Sequence, residues 1–112
     1  MAYAIRPAGG HLDVDLTGLL GKAEFEILFD EIRRQGGAFV RALIEFRTEA
    51  CLGTLDTLEV VASLPRDCRV ALLITDERMR DSAEFAETVA VNRGIALRMF
   101  DRRSSAERWL DA

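Results

Sequence analysis

Two short stretches hold most of the residues that could meet a ligand. The first, Arg47-Thr48-Glu49-Ala50-Cys51-Leu52-Gly53-Thr54, offers a guanidinium, two hydroxyls, a thiol and a leucine. The second, Asp76-Glu77-Arg78-Met79-Arg80-Asp81, places two guanidiniums and a methionine among three acids. Arg47, Thr48, Cys51, Thr54, Arg78 and Arg80 form a candidate ligand-binding set for an anionic head group, because their donors suit oxyanions. Leu52 and Met79 are read as exposed apolar members that would meet a tail. The same charges have a plainer reading. Arg47 with Glu49, and Arg78 and Arg80 with Asp76, Glu77 and Asp81, make exposed ion pairs that contribute little.

Other routes to chemistry close quickly. His11 is the only histidine; beside Gly9-Gly10 it reads as an exposed turn residue, and one imidazole makes no histidine-rich metal site. Asp13 and Asp15 share a strand face, but alternation toward solvent accounts for both. Ser63, Ser82, Ser104 and Ser105 fall at helix ends, none in a nucleophile elbow. There is no Cys-x-x-Cys pair and no glycine-rich phosphate loop. A phospho-acceptor receiver needs an acidic pair after its first strand, whereas this chain begins with a hairpin. The expectation is therefore a non-enzymatic domain with no cofactor and no metal.

Those two stretches must be held by a scaffold, and the 112 residues suffice for one domain, 1–112. Hydrophobic residues make up 49% and charged residues 30% of the chain, a globular balance without repeats or linkers. The net charge of −4 and pI near 5.0 argue against a nucleic-acid partner. Met1 to Pro7 lacks the apolar core of a signal peptide, and no apolar run approaches the roughly 20 residues that span a bilayer. A cytoplasmic protein without an integral membrane segment is expected. Cys51 follows one strand and Cys68 precedes its parallel neighbour, nearly 20 Å away by strand rise, about three times disulfide reach. Two free thiols are expected.

The order of elements reads ββαβαβαβα. Strands are placed at Tyr3 to Pro7, His11 to Thr17, Val40 to Phe46, Arg69 to Thr75 and Ile95 to Phe100. Leu12, Val14 and Leu16 alternate with polar residues, the mark of one wet face. Ala42-Leu43-Ile44 and Val70-Ala71-Leu72-Leu73-Ile74 are continuously apolar, as in parallel strands buried on both faces. Helix one starts near Gly21, with Leu20 and Phe25 at hydrophobic-staple spacing, and buries Phe25, Leu28, Phe29 and Ile32 before Gly36-Gly37. Helix two, Gly53 to Leu64, turns Leu55, Leu58 and Ala62 inward. Helix three opens at Asp81 with Glu84 at capping-box spacing, buries Phe85 and Val89 and stops at Gly94. The last helix is capped by Ser104 with Glu107 and buries Ala106, Trp109 and Leu110. The fold class is α/β, a mixed, largely parallel five-stranded sheet with four helices. Loops at the carboxyl ends of the strands, 47–54 and 76–81, are where ligands meet such a sheet.

Three segments carry a family resemblance. Leu16-Thr17-Gly18 leads into an acidic amphipathic helix, Val40-Arg41-Ala42-Leu43-Ile44-Glu45-Phe46 forms a central strand, and Met99-Phe100 precedes Ser105-Ala106-Glu107-Arg108-Trp109-Leu110. In these the chain resembles the SpoIIAA-like branch of the STAS superfamily. The resemblance implies the SpoIIAA-like fold, which is grouped with SEC14-type lipid-binding domains. It also implies kinship with anti-sigma-factor antagonists, which dock on a protein partner and are switched by phosphorylation of a serine at the start of helix two. Phe46 to Thr54 contains no serine, so that switch would fall to Thr48 or Thr54, where a threonine also serves as an ordinary N-cap.

Two functions compete on this reading. The first is binding of a small amphipathic or lipid-like anionic ligand, with Arg47 and Arg78 on its charge and Leu52 and Met79 on its tail. The alternative is a protein-interaction module docking through helix two and the loop before it. A weaker third is a homodimer through the first strand, an edge blunted by Pro7.

Overall fold

The computed structural model describes residues 3–17, 21–36, 40–46, 54–64 and 67–112. Strand β1 (Tyr3–Ala8) returns as β2 (His11–Leu16) through the two residues between the paired Ala8 and His11. Gly9 makes the turn with φ of 65°, a conformation that costs a side chain strain. Leu12, Val14 and Leu16 are buried on one face. Helix α1 (Lys22–Gly36) follows, with Gly21 as its N-cap: the Gly21 N–H donates to Glu24 at 3.3 Å, and its carbonyl accepts from the Phe25 N–H at 3.0 Å. Next come β3 (Arg41–Phe46), α2 (Thr54–Ala62), β4 (Arg69–Ile74), α3 (Arg80–Asn92), β5 (Ala96–Phe100) and α4 (Arg103–Asp111).

The strands lie in chain order, β1-β2-β3-β4-β5, with only β1 antiparallel. Each crossover thus steps in the same direction. Right-handed crossovers made that way all pass over the same face. That face holds the larger core, in which Phe25, Leu28 and Ile32 of α1, Val60 and Val61 of α2 and Val89 and Ala90 of α3 meet Val14, Ile44 and Leu72 of the sheet. The opposite face is left to α4, whose Ala106 and Leu110 pack on Leu43, Ala71 and Leu73 in a second, smaller core. Strands β3 and β4 are covered on both sides, which is why they read as continuous apolar runs. The β5 edge is partly closed by Glu87, which accepts a 2.8 Å hydrogen bond from the Met99 N–H. No helix among the described residues is long and apolar enough to cross a membrane.

Several expectations about local structure change. Helix α2 buries Thr57, Val60 and Val61 and half-buries Leu58 as expected, with buried Leu64 just past its end, while Leu55 is 66% exposed and Ala62 also faces out. Apolar residues surround this short helix, so its periodicity does not choose a face; the sheet does. Helix α3 begins at Arg80, with Met79 rather than Asp81 at its N-cap, because a 3-10 turn (Glu77–Met79) leads into it, itself capped by Asp76, whose carboxylate accepts from the Arg78 N–H at 2.9 Å. Its buried face is built from alanines, Ala83, Ala86 and Ala90, with Val89; Phe85 stands at the border, 36% exposed. Helix α4 has Arg102 at its N-cap with no side-chain cap, in place of Ser104. The stop of α3 is as expected. Gly94 has φ of 70°, its N–H bonds the Val91 carbonyl at 3.2 Å and the Ile95 N–H bonds the Ala90 carbonyl at 2.9 Å, the double bond of a Schellman end.

Cys68 is a buried thiol outside any disulfide, as expected of it, and Cys51 lies outside the described residues. Burial, helped by Asp67, pushes the Cys68 thiol up from 9.0 to about 11. The folded state therefore holds the thiol neutral where the unfolded chain ionises it. This contribution is intact below about pH 9 and is lost between about pH 9 and 11, at roughly 1.4 kcal/mol per pH unit. Urea unfolding across that window should show wild type losing stability relative to Cys68→Ala. Parallel curves would mean the thiol is accessible.

Candidate functional site

The 76–81 stretch pairs with itself. Arg78 grips Asp76 in a fork, Nη2 to Oδ2 at 2.7 Å and Nε to both carboxylate oxygens at 3.2 Å. Arg80 lies 3.7 Å from Glu77. Both arginines are exposed enough for the ion-pair reading to hold of their present partners. Met79 is not the exposed apolar residue expected of it: it is 3% exposed and sits in the larger core. The 3-10 turn is responsible, since it rotates the middle of the segment under α3 while its two neighbours stay in solvent. Arg47, Thr48, Cys51 and Leu52 lie outside the described residues, as does the side chain of Thr54, the first residue of α2.

Where Met79 goes is informative. It lines a partly open cavity of about 70 Å³ between the sheet and helices α1 to α3. Phe46 and Ile74, at the carboxyl ends of β3 and β4, form part of its wall, with Phe25, Val60 and Ala83 around it. Thr57 and Ser82 bring hydroxyl side chains to an otherwise apolar lining. On the α3 side the lining consists of Ser82, Ala83 and Ala86, side chains too short to fill the space. This is the feature that sequence reading missed. Its one signal was Ala83, Ala86 and Ala90 at helical spacing on the buried side of a helix.

His11 and Asp13 are also placed differently from expectation. His11 is buried, 8% exposed, and its Nε2 lies 3.1 Å from Asp13 Oδ1. Arg103 of α4 reaches across the sheet to Asp13 at 3.1 Å and to Glu45 at 3.1 Å. Asp15, beside them, accepts from Arg6 at 3.1 Å. The wet face of β2 is therefore a half-buried charged patch beside α4, which alternation alone does not disclose. Partial burial pulls the Arg103 guanidinium down, but its hydrogen bonds and its attraction to Asp13 and Glu45 prevail and hold it above its ordinary range. The cluster works as a clamp: carboxylates on β2 and β3 hold the start of α4. Arg103→Met should cost about 1–2 kcal/mol, less than a fully buried pair because the arginine is partly in solvent. Urea unfolding checks this, and an unchanged midpoint would remove the clamp.

No group of three or more metal-ligating side chains occurs among the described residues. No protein-family model matches the chain, and no curated protein matches it. Among solved structures, it is similar to the crystal structure of an uncharacterized protein of the DUF3478 family, with a SpoIIAA-like fold, from Shewanella loihica PV-4. The two align with a TM-score of 0.58 and 17% identity, over 97% of this chain and 92% of that one. A likeness spanning nearly both chains, on a sheet of this order with one lone helix behind it, identifies the fold as SpoIIAA-like.

Proposed function

We propose that the domain is a non-enzymatic binding module of the cytoplasm that takes the apolar end of a small amphipathic anion into the cavity beneath α2 and α3. The observation that carries this reading is the cavity itself, an apolar space left in an otherwise filled core at the carboxyl ends of β3 and β4. At about 70 Å³ it is smaller than the cavity of about 150 Å³ known to take benzene, so it admits a short tail as it stands. A longer tail enters by parting α2 from α3. Arg78, which follows the carboxyl end of β4, is assigned to the head group and exchanges Asp76 for the ligand's charge; Arg47, next after β3 in the sequence but outside the described residues, is assigned with it.

The test uses two probes followed by amide NMR. 1-Hexanol, which has a tail and no charge, should produce saturable shifts at Val60, Ile74 and Ala83 and none in the β1–β2 hairpin. Hexanoate should bind more tightly, and the increment should vanish when Arg47 and Arg78 are both replaced by Ala. Absence of saturable hexanol shifts would reject the cavity as a site. Hexanoate binding unchanged in the double variant would reject the head-group assignment alone.

One observation favours a second reading. Leu55 projects from the outer face of α2 with 66% of its surface in solvent, on the helix through which an antagonist-type module would dock. On that reading Leu55→Asp and Leu52→Asp abolish a stable protein complex while leaving hexanol binding intact.

A further inference from the structure

A second cavity, separate in chemistry from the apolar one, lies where the chain changes sides of the sheet. The segment after β4 leads to α3 on the face of the larger core, whereas the segment after β5 leads to α4 on the opposite face. Between the carboxyl ends of two neighbouring parallel strands whose helices diverge in this way, the backbone necessarily opens a crevice. Here it measures about 280 Å³ and is lined by Ile74, Arg80, Arg98, Phe100, Asp101 and Ser105, among others.

The lining is cationic and prepared for a ligand. Arg98 has no carboxylate partner among the described residues; its guanidinium lies against the Phe100 ring, 5.6 Å from the centroid. A cation held over a ring in this way keeps N–H groups available to an incoming anion. Among the described residues Arg80 pairs with Glu77 at a distant 3.7 Å, and that carboxylate is 90% exposed, so an incoming anion displaces the pair at small cost. Ser105 adds a hydroxyl from the first turn of α4, a helix without a side-chain cap. Asp101 is the one opposing charge in the lining.

We propose that this crevice binds the phosphate group of a small phosphomonoester, with Arg80 and Arg98 as its cations and Ser105 as a donor. Two guanidiniums match a dianion better than a single carboxylate, and the volume exceeds that of the anion alone, so the ester's organic part fits beside Ile74 and Phe100. The inference does not depend on the apolar cavity.

Inorganic phosphate, titrated against chloride at constant ionic strength, serves as the probe. Amide NMR of the full chain should show saturable shifts at Phe100, Ser104 and Ser105. Arg98→Ala should weaken the affinity roughly ten- to a hundredfold, as expected for loss of charged hydrogen bonds, and Arg98→Lys should fall between. Asp101→Asn should tighten binding by up to about fivefold, since it removes a like charge at an exposed site. Arg98 makes no ion pair among the described residues, so its variants should retain near-wild-type stability and full hexanol binding. Shifts that do not saturate, or an affinity unchanged in Arg98→Ala, would overturn the proposal.

Discussion

Leu110→Ala is expected to destabilise the protein by about 3 kcal/mol, within the range for a leucine deleted from a closed core. Leu110 is fully buried, and among the described residues the core beneath α4 consists of Leu43, Ala71, Leu73, Ala106 and Leu110, flanked by half-buried Phe100 and Trp109. Helix α4 packs on the face of the sheet opposite to α1, α2 and α3, apart from their larger core. Its docking rests on that apolar patch, the Arg103 clamp and Arg69. The guanidinium of Arg69 donates to the Trp109 carbonyl at 3.1 Å and lies 5.8 Å from the centroid of the Trp109 ring. Arg69 thereby meets the negative end of the helix with a positive charge. Losing Leu110 should therefore free α4 before the sheet melts. Urea unfolding gives the magnitude, and hydrogen exchange should show α4 amides losing protection ahead of β3 and β4. A cost below about 1 kcal/mol would mean that α4 is not packed as described.

Ala83→Leu is the second large effect, and its sign is the informative part. Ala83 is 5% exposed and lines the apolar cavity. Three added carbons bury roughly 2.4 kcal/mol of transfer free energy at about 0.8 per methylene. Side-chain ordering takes back about 0.5–1 kcal/mol. If the space is there, the variant should gain about 1 kcal/mol or hold even, while hexanol affinity falls at least about tenfold because the site is filled. In a core already full, the same substitution would cost about 1–3 kcal/mol by overpacking. Stability and binding should thus move in opposite directions, an outcome that a merely damaged protein does not give.

The architecture was legible because its signals were repeated and local. Leu12, Val14 and Leu16 announce a one-sided strand, the unbroken runs of β3 and β4 announce a sheet covered on both faces, and Gly94 ends a helix by the only backbone geometry that closes it so tightly. Where the sequence misled, a tertiary fact decided between equal local options. Leu55, Leu58, Val60, Val61 and Ala62 offer α2 two apolar faces, and only the position of the sheet selects one. Met79 sits in a charged stretch, so its burial depends on a 3-10 turn that nothing before Asp76 requires. His11 and Asp13 alternate like solvent-facing residues, yet α4, some ninety residues later in the chain, brings Arg103 over them. A cavity is a property of volumes summed over three helices and a sheet, so the alanines of α3 hinted at it without defining it. Of the loop residues assigned to the ligand, Arg47, Thr48 and Cys51 for its head group and Leu52 for its tail lie outside the described residues.

Native mass spectrometry of the protein purified from its own cells, beside Ala83→Leu purified the same way, tests the binding function most directly. The wild-type protein should carry an adduct of a small amphipathic molecule that is released on denaturation, and the filled variant should be bare. A wild-type spectrum showing only the mass of the chain, or an adduct retained in full by Ala83→Leu, would contradict the assignment of the cavity as the ligand site.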